Sequence, residues 1–393
     1  MKVAICRHFG VCGGCQTQHL AYADQLRVKR AGLERLISRA MPGRPPVEPV
    51  VPMPAGPDGM PWRFRHKAAF VFAPANRSGR GLVMGHYAAG SRRVVAIDEC
   101  PVQSDRANRM AFALRVRLLR AGIRAAGPRL EGILRYLVVR TSHDDREAMA
   151  MLVVTRNDKA LRAPLRAWLA SADRPDALFL TEHDGDDPYM VGESVLRIDG
   201  PTHIRETRIG PTLLVSPTAF FQTNPDAAAA LVEEVLRQVR STTSDGHVLD
   251  LYAGSGLFAV PLALEGHHVT AVEENRQAVK DGLANARINR IDASRLTFVG
   301  ARTEDFLERR QTRTPDAIVI DPPRQGCAAR VLDGIFRGIV PARAIYVSCN
   351  PEAFAQELPA MLSAGYTLTR VVPVDMFPHT HHVELVATLD RRA

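Results

Sequence analysis

At 393 residues the chain has the length of two or three domains of roughly 150 residues each, enough to bury full cores without disulfide staples. Hydrophobic residues make up 46% and charged residues 24% of it, the balance of an ordinary folded protein, which excludes fibrous and disordered classes. The long uncharged run 210–225 contains three prolines and falls short of the ~20 apolar residues of a membrane span; the amino terminus MKVAICRHFG lacks the apolar core of a secretory leader. A cytoplasmic protein that does not cross a membrane is expected.

Net charge is +9, but residues 1–150 hold 25 Lys and Arg against 11 Asp and Glu, whereas 151–393 hold 26 against 31. A basic amino-terminal part concentrates polyanions, so RNA or DNA is a natural partner, the alternative being solvated helix faces. The six cysteines are Cys6, Cys12, Cys15, Cys100, Cys327 and Cys349. Inside a cell, clustered cysteines point to a metal and an isolated one to a nucleophile.

In chain order, the segment CRHFGVCGGC opens the sequence. A basic amphipathic helix follows over 21–39, with Leu26, Leu33, Leu36 and Ile37 on one side. Eight prolines between Pro42 and Pro61 forbid regular structure and predict a linker or an extended wrap. These pieces, 1–61, are taken as the first unit. From 62 to 205, runs such as KAAFVF, LRYLVVRTS and AMAMLVVT, with a helix over 104–120, predict an antiparallel sheet domain of α+β type. From 206 to 393 a helix over 225–239 precedes the strand candidates HVLDLY, HVTAVE, LTFVG, AIVID and AIYVS, alternating with helical stretches. That alternation predicts a doubly wound, Rossmann-like α/β sheet.

Chemistry gathers at the predicted strand ends. VLDLY runs into AGSGLFA, giving Gly254-x-Gly256-x-x-Ala259 at a strand-to-helix turn, with Glu273 ending the next strand. Glycines admit a ligand to the backbone and a carboxylate one strand over can grip ribose hydroxyls, which suits an adenosine-type cofactor, NAD included. Asp250 before the turn and Asp321-Pro322-Pro323-Arg324 after the AIVI strand favour S-adenosylmethionine. AIYVS ends in Ser348-Cys349-Asn350-Pro351, which places a thiol at the same sheet edge, able to attack an electrophilic carbon. In DMFPHTHHVELV, Glu384 begins the last strand and can remove a proton; the competing reading is a metal site of His379, His381, His382 and Glu384. Cys6-x5-Cys12-x2-Cys15 supplies three thiolates and Cys100 can complete the set, for an iron–sulfur cluster or zinc.

Through CxxxxxCGGCxxQ, FFQTN, LDLYAGSG, DPPRQG, SCNP and FPHTHHVE, nearly the whole chain resembles the RNA 5-methyluridine methyltransferases, and in particular their iron–sulfur branch acting on 23S ribosomal RNA. The resemblance implies that Cys349 adds to carbon-6 of a uracil, that carbon-5 takes a methyl group from S-adenosylmethionine, and that Glu384 removes the carbon-5 proton. It implies cofactor contacts at Gln222, Tyr252, Gly254, Glu273 and Asp321, with Glu304 near the adenine, and a 4Fe-4S cluster on Cys6, Cys12, Cys15 and Cys100 in a structural or RNA-positioning role. The implied partner is structured RNA, without an obligate protein partner; Arg63, Lys67, Arg140 and Phe220 are candidate contacts and Cys327 a bystander. Family members often carry a small β-barrel RNA-binding domain ahead of the cysteine loop. This sequence begins at the loop, so RNA affinity is expected from the basic segment. The alternatives are a tRNA uracil-5-methyltransferase, an iron–sulfur nicotinamide-dependent oxidoreductase, and a non-catalytic RNA-binding protein.

Overall fold

The computed structural model describes residues 6–41, 43, 45–76, 81–127, 131–185, 191, 192, 194–308 and 314–392; the first five residues of the segment 1–61, and Pro42, lie outside them. Among the described residues no helix is long and apolar enough to cross a membrane.

Helix α1 (Tyr22–Ala40) forms where the apolar periodicity predicts it. Its buried stripe does not serve an amino-terminal unit. Leu33 and Ile37 join Phe354, Leu358 and Met361 in the core beneath the carboxyl-terminal sheet, alongside the helix Pro351–Ser363. So short a segment as 1–61 cannot cover its own apolar face, and α1 packs on a distant one. The Pro-rich stretch runs as the extended wrap. Glu48 N donates to Val371 O (2.8 Å), Val51 N to Pro373 O (2.8 Å), and Val371 N to Pro46 O (2.9 Å). Proline's missing N–H is tolerated along such an edge, and the edge is thereby covered.

The middle domain is one sheet in the order β3-β2-β1-β4-β5-β6-β7: β1 (Lys67–Pro74), β2 (Leu82–Tyr87), β3 (Val94–Ala96), β4 (Leu134–Thr141), β5 (Ala148–Val154), β6 (Ala177–Glu182) and β7 (Val195–Asp199). Helix α2 (Asp105–Arg120) packs on it, its N-terminus capped by Ser104, whose Oγ accepts from Ala107 N (3.0 Å). An all-antiparallel sheet was the expectation; β5 and β6 run parallel, because α3 (Arg162–Leu169) supplies the crossover that a parallel pair requires.

The hairpin β8 (Ile204–Glu206) and β9 (Leu213–Val215) spans the expected boundary at 205/206. Helix α4 (Pro225–Arg240), with Asn224 as cap, then leads into alternating β10 (His247–Leu251), α5 (Ala259–Leu264), β11 (His268–Glu273), α6 (Arg276–Ile288), β12 (Leu296–Gly300), α7 (Thr303–Leu307), β13 (Ala317–Ile320), α8 (Ala329–Asp333), β14 (Arg343–Ser348) and α9 (Pro351–Ser363), closed by β15 (Tyr366–Val374) and β16 (Glu384–Arg391). The sheet order is β12-β11-β10-β13-β14-β16-β15, parallel except at β16, which is antiparallel to both neighbours. Side chains alternate between two cores. Val248, Val319 and Val347 face one, while Leu249, Ile318 and Tyr346 face the other. A Rossmann-like sheet covered on both faces results, with its strand carboxyl ends gathered at one edge.

Candidate active site

Strand register builds the centre of the site. In the β14–β16 ladder Ser348 faces Leu385, so the next step sets Cys349 against Glu384, the first residue of β16. On the neighbouring strand, Ile320 pairs with Tyr346 and Asp321 follows, its N–H donating to Leu251 O at 3.3 Å. Three strands thus deliver a thiol and two carboxyls to one spot.

Their electrostatics follow from that crowding. Glu384 is 3% exposed, and burial, then Asp321, push its carboxyl up to about 8, with Arg324 pulling the other way. Burial pushes Asp321 up to about 7. The half-buried Cys349 thiol is raised by burial, then by Glu384 and Asp321, and lowered by Arg324. The carboxyls therefore exchange protons near neutrality, where general acid–base work is done.

Arg324 is positioned by its backbone. Asn350, the cap of α9, donates from Nδ2 to Arg324 O (2.8 Å). Further along the same loop, Cys327 N donates to Glu357 Oε1 (2.7 Å), and a Cβ at Gly326 would lie 1.8 Å from that same oxygen. Tyr346 Oη completes the clamp by donating to Glu357 Oε2 (2.7 Å). Cys327 itself is an inert thiol, pushed up to about 12 by burial and Glu357, as befits a bystander.

At the end of β10 the chain turns through positive φ at Tyr252 (+61°), Gly254 (+55°) and Gly256 (+92°); glycine takes this conformation freely, and Tyr252 holds it against its own Cβ. Glu273 ties the turn down, accepting from Gly254 N (2.9 Å) and Asn275 N (2.7 Å), and each carboxylate oxygen keeps a lone pair for a ligand. Asp250 is fully buried at 0% exposure; burial, then Asp321, hold its proton on well above the usual range, while the Ala259 backbone N–H pulls the other way. Tyr252 and Glu304 line an adjoining cavity of about 300 Å³ with Thr303 and Cys327. Gln222 is buried in a different place, a small cavity shared with His66, Lys67 and Arg140.

Of the candidate RNA contacts, Arg140 is buried and Lys67 partly so. Arg140 is 5% exposed and donates from Nη2 to Ala219 O (2.8 Å), propping the segment before Gln222; Lys67 is lowered to about 7 by burial, then Arg140 and Arg65. Arg63 is exposed but bound to Asp105 (2.5 Å). Phe220 stands 68% exposed.

The loop that delivers Glu384 is anchored from the amino terminus. His379 O accepts from Gln16 N (2.7 Å) and Thr17 N (3.0 Å), and His379 N donates to Gln25 Oε1 (2.9 Å). The His379 ring stacks on Trp62 (4.4 Å) with Nε2 on Pro61 O (2.7 Å), which removes it from the competing metal reading. Lys29 forms a buried ion pair with Asp375 and donates to Phe377 O (3.0 Å), while Tyr22 Oη donates to Asp375 (2.8 Å). Sequence reasoning missed Lys29, Asp375, Glu357 and the role of Arg324. Only the last had a signal, its place in DPPR.

Cys6, Cys12, Cys15 and Cys100 line one cavity of about 640 Å³ with Arg65 and His86. Burial is the largest reason that Cys15 rises to about 11 and Cys100 to about 12, and the other thiols add to it. Among the described residues no three His, Cys, Asp or Glu are arranged to hold a single metal ion.

The profile of the tRNA (uracil-5-)-methyltransferase family matches residues 214–392. An uncharacterised RNA methyltransferase of Gloeobacter violaceus is 35% identical over 389 residues, 97% of this chain and 81% of its own. One from Thermosynechococcus vestitus is 33% identical over 380 residues, 96% and 82% of the two chains. The crystal structure of the Pyrococcus abyssi tRNA (uracil-54, C5)-methyltransferase, in complex with S-adenosyl-L-homocysteine, matches with a TM-score of 0.77 at 28% identity, over 97% of this chain and 86% of that one.

Proposed function

Because this chain belongs to a family of RNA methyltransferases and its residues 214–392 match the tRNA (uracil-5-)-methyltransferase profile, we propose that it transfers a methyl group from S-adenosylmethionine to carbon-5 of a uracil in structured RNA, through Cys349 and Glu384. The observation that carries this reading is the register opposing Cys349 to Glu384 beside Asp321. Carbon-5 of uracil is a poor nucleophile. Addition of the Cys349 thiolate to carbon-6 moves the ring's electron pair onto carbon-5, which bonds to the methyl carbon while the sulfonium bond breaks and S-adenosylhomocysteine leaves. Glu384 then takes the carbon-5 proton, the double bond re-forms, and the carbon–sulfur bond breaks to return the thiolate.

The acidity of the crevice supports a sulfonium donor over a dinucleotide. Glu273, holding the β10 turn through its carboxylate, and Asp321, which ionises near neutrality, stand at the β10 and β13 ends beside a protonated Asp250, a field that suits a cation better than a pyrophosphate. Tyr252, Gly254, Glu273 and Asp321 are the proposed cofactor contacts, with Glu304 toward the adenine; Gln222, proposed with them from the resemblance, lines a separate small cavity. The Pyrococcus enzyme's complex with S-adenosyl-L-homocysteine is consistent with this assignment.

Cys6, Cys12, Cys15 and Cys100 surround one cavity, the feature that supports a shared metal group on them. A 4Fe-4S cluster on Cys6, Cys12, Cys15 and Cys100 is proposed, supplying a crosslink rather than electrons, since methyl transfer moves none. Through Gln16 and Thr17 that crosslink would steady the loop that carries Glu384.

As substrate we place 23S ribosomal RNA first, from the cysteine loop; tRNA is the second reading, favoured by the likeness to the Pyrococcus tRNA enzyme. Incubation with unmodified 23S ribosomal RNA and tRNA transcripts, followed by mapping of 5-methyluridine, decides between them, with Cys349→Ala as control. Absence of 5-methyluridine in both would remove the proposal, as would thermal stabilisation by NAD and not by S-adenosylhomocysteine.

A further inference from the structure

Cys349 does not open onto bare solvent. It lines a cleft of about 580 Å³ together with the outer face of α1, the DPPR loop and the His381–His382 turn. Arg35 and Arg39 line this cleft from α1, Arg324 and His382 from the other segments. Both α1 arginines are exposed, and neither they nor Arg324 has a side-chain ion pair or hydrogen bond among the described residues. Their neighbours on the same helix differ: Arg27 pairs with Asp24 and Arg30 with Glu34. One carboxylate, Glu352, faces the cleft, leaving an excess of unpaired guanidinium around the thiol.

Resting on the uracil reading above, we infer that this cleft is where the RNA strand enters, with Arg35 and Arg39 of α1 holding backbone phosphates next to the target uridine while its base reaches Cys349. Residues four apart on a helix are neighbours, about 5–6 Å between Cβ atoms, so the two guanidiniums can grip one short stretch of backbone. A base that must leave its stack is held by its flanking phosphates, and arginine's fork suits phosphate oxygens. The placement also gives the amino-terminal helix a reason to pack on the catalytic sheet, far from the middle domain. Arg324 stands nearest the thiol, and Arg35 and Arg39 extend the basic lining of the cleft along α1, whereas Arg140 is enclosed.

The test compares the wild type, the double variant Arg35→Ala/Arg39→Ala, and Arg27→Ala, an exposed position outside the cleft. Binding of a uridine-containing single-stranded oligoribonucleotide is followed by fluorescence anisotropy across a potassium chloride series. The double variant is expected to bind about 10-fold or more weakly at low salt. Its slope of log affinity against log salt should be shallower by about 1.4, roughly 0.7 for each single-strand phosphate that an arginine no longer neutralises. In methylation of the transcript that the wild type modifies, the loss falls on KM rather than kcat. Arg27→Ala keeps the wild-type slope, and S-adenosylhomocysteine affinity checks that the double variant is folded. If the wild type methylates RNA while the double variant retains its affinity and slope, the cleft assignment is overturned and the reaction stands. If the wild type methylates neither transcript, both fall together.

Discussion

Two regions of this molecule gather ionisable groups, and they do so by different means. At the sheet edge, Cys349, Glu384 and Asp321 are set by the register of hydrogen-bonded strands. In the amino-terminal cavity, Cys6, Cys12, Cys15 and Cys100 sit on loops held by short local ties, such as Gly13 N on Tyr87 O (2.9 Å) and Asn108, which accepts from Cys100 N (3.0 Å) and donates to Cys100 O (3.1 Å). The first arrangement is rigid without a ligand. The second gathers thiols that burial and mutual proximity keep protonated, and a bound cluster would take them as thiolates. The contrast separates a reaction centre from a fastening, and the two meet where Gln16 and Thr17 hold His379.

The sharpest way to break that division is at the sheet edge. Cys349→Ala removes the nucleophile and is expected to lower methylation on the order of 10⁴-fold or more, with S-adenosylhomocysteine binding retained. Glu384→Gln blocks a later step, because the methylated ring cannot lose its carbon-5 proton. A covalent protein–RNA species should therefore accumulate, resistant to denaturing electrophoresis. Slow turnover without any adduct would show that Glu384 is not the base.

Next in size is the anchor between the regions. Lys29 and Asp375 have side chains 2% and 0% exposed. Lys29→Met strands a buried carboxylate, at an expected cost of ~3–5 kcal/mol, read as a lower denaturant midpoint. Pairing it with Asp375→Leu should recover part of the loss. A midpoint unchanged in the single variant would mean that the loop does not depend on this ion pair.

Cys100→Ser tests the fastening. Three thiolates remain, the brown iron–sulfur absorbance should fall, and residues 1–20 should become more sensitive to protease. Methylation is expected to drop less than in Cys349→Ala, since the nucleophile is intact. Full absorbance with normal protease resistance would refute the cluster assignment.

Legibility differed between the regions for physical reasons. The carboxyl-terminal sheet was readable because its strands, buried on both faces, stand out as short continuous apolar runs alternating with helical stretches, and its motifs were readable because strand ends fall where those runs stop, as at Ile320–Asp321 and Ser348–Cys349. What escaped was whatever depends on partners distant in the chain. Lys29 and Asp375 lie 346 positions apart, and nothing local in α1 shows that its apolar stripe belongs under the carboxyl-terminal sheet. Arg140, a candidate RNA contact by its charge, proved to be buried, because sequence assigns charge but not depth. The parallel β5–β6 pair was hidden because α3 spans only eight residues, short enough to pass for a loop.

The smallest expected effect bears on the pH response of the sheet edge. Glu384 has its carboxyl raised from an ordinary 4.5 to about 8 in the folded protein, so between those values the native state binds the proton that the unfolded chain has lost. Stability from this group is therefore full below pH 4.5, declines as pH rises through 8, and levels off above it. Glu384→Gln cannot ionise: its melting temperature should exceed that of the wild type by a few degrees at about pH 8.5 and match it near pH 4.5. Asp321, raised to about 7, keeps a residual slope in the variant. Wild-type turnover moves the opposite way, rising over the same window as Glu384 loses its proton and becomes a base. The two trends together locate one carboxyl; a melting temperature indifferent to pH in both proteins would mean that Glu384 is not buried as the β14–β16 register sets it.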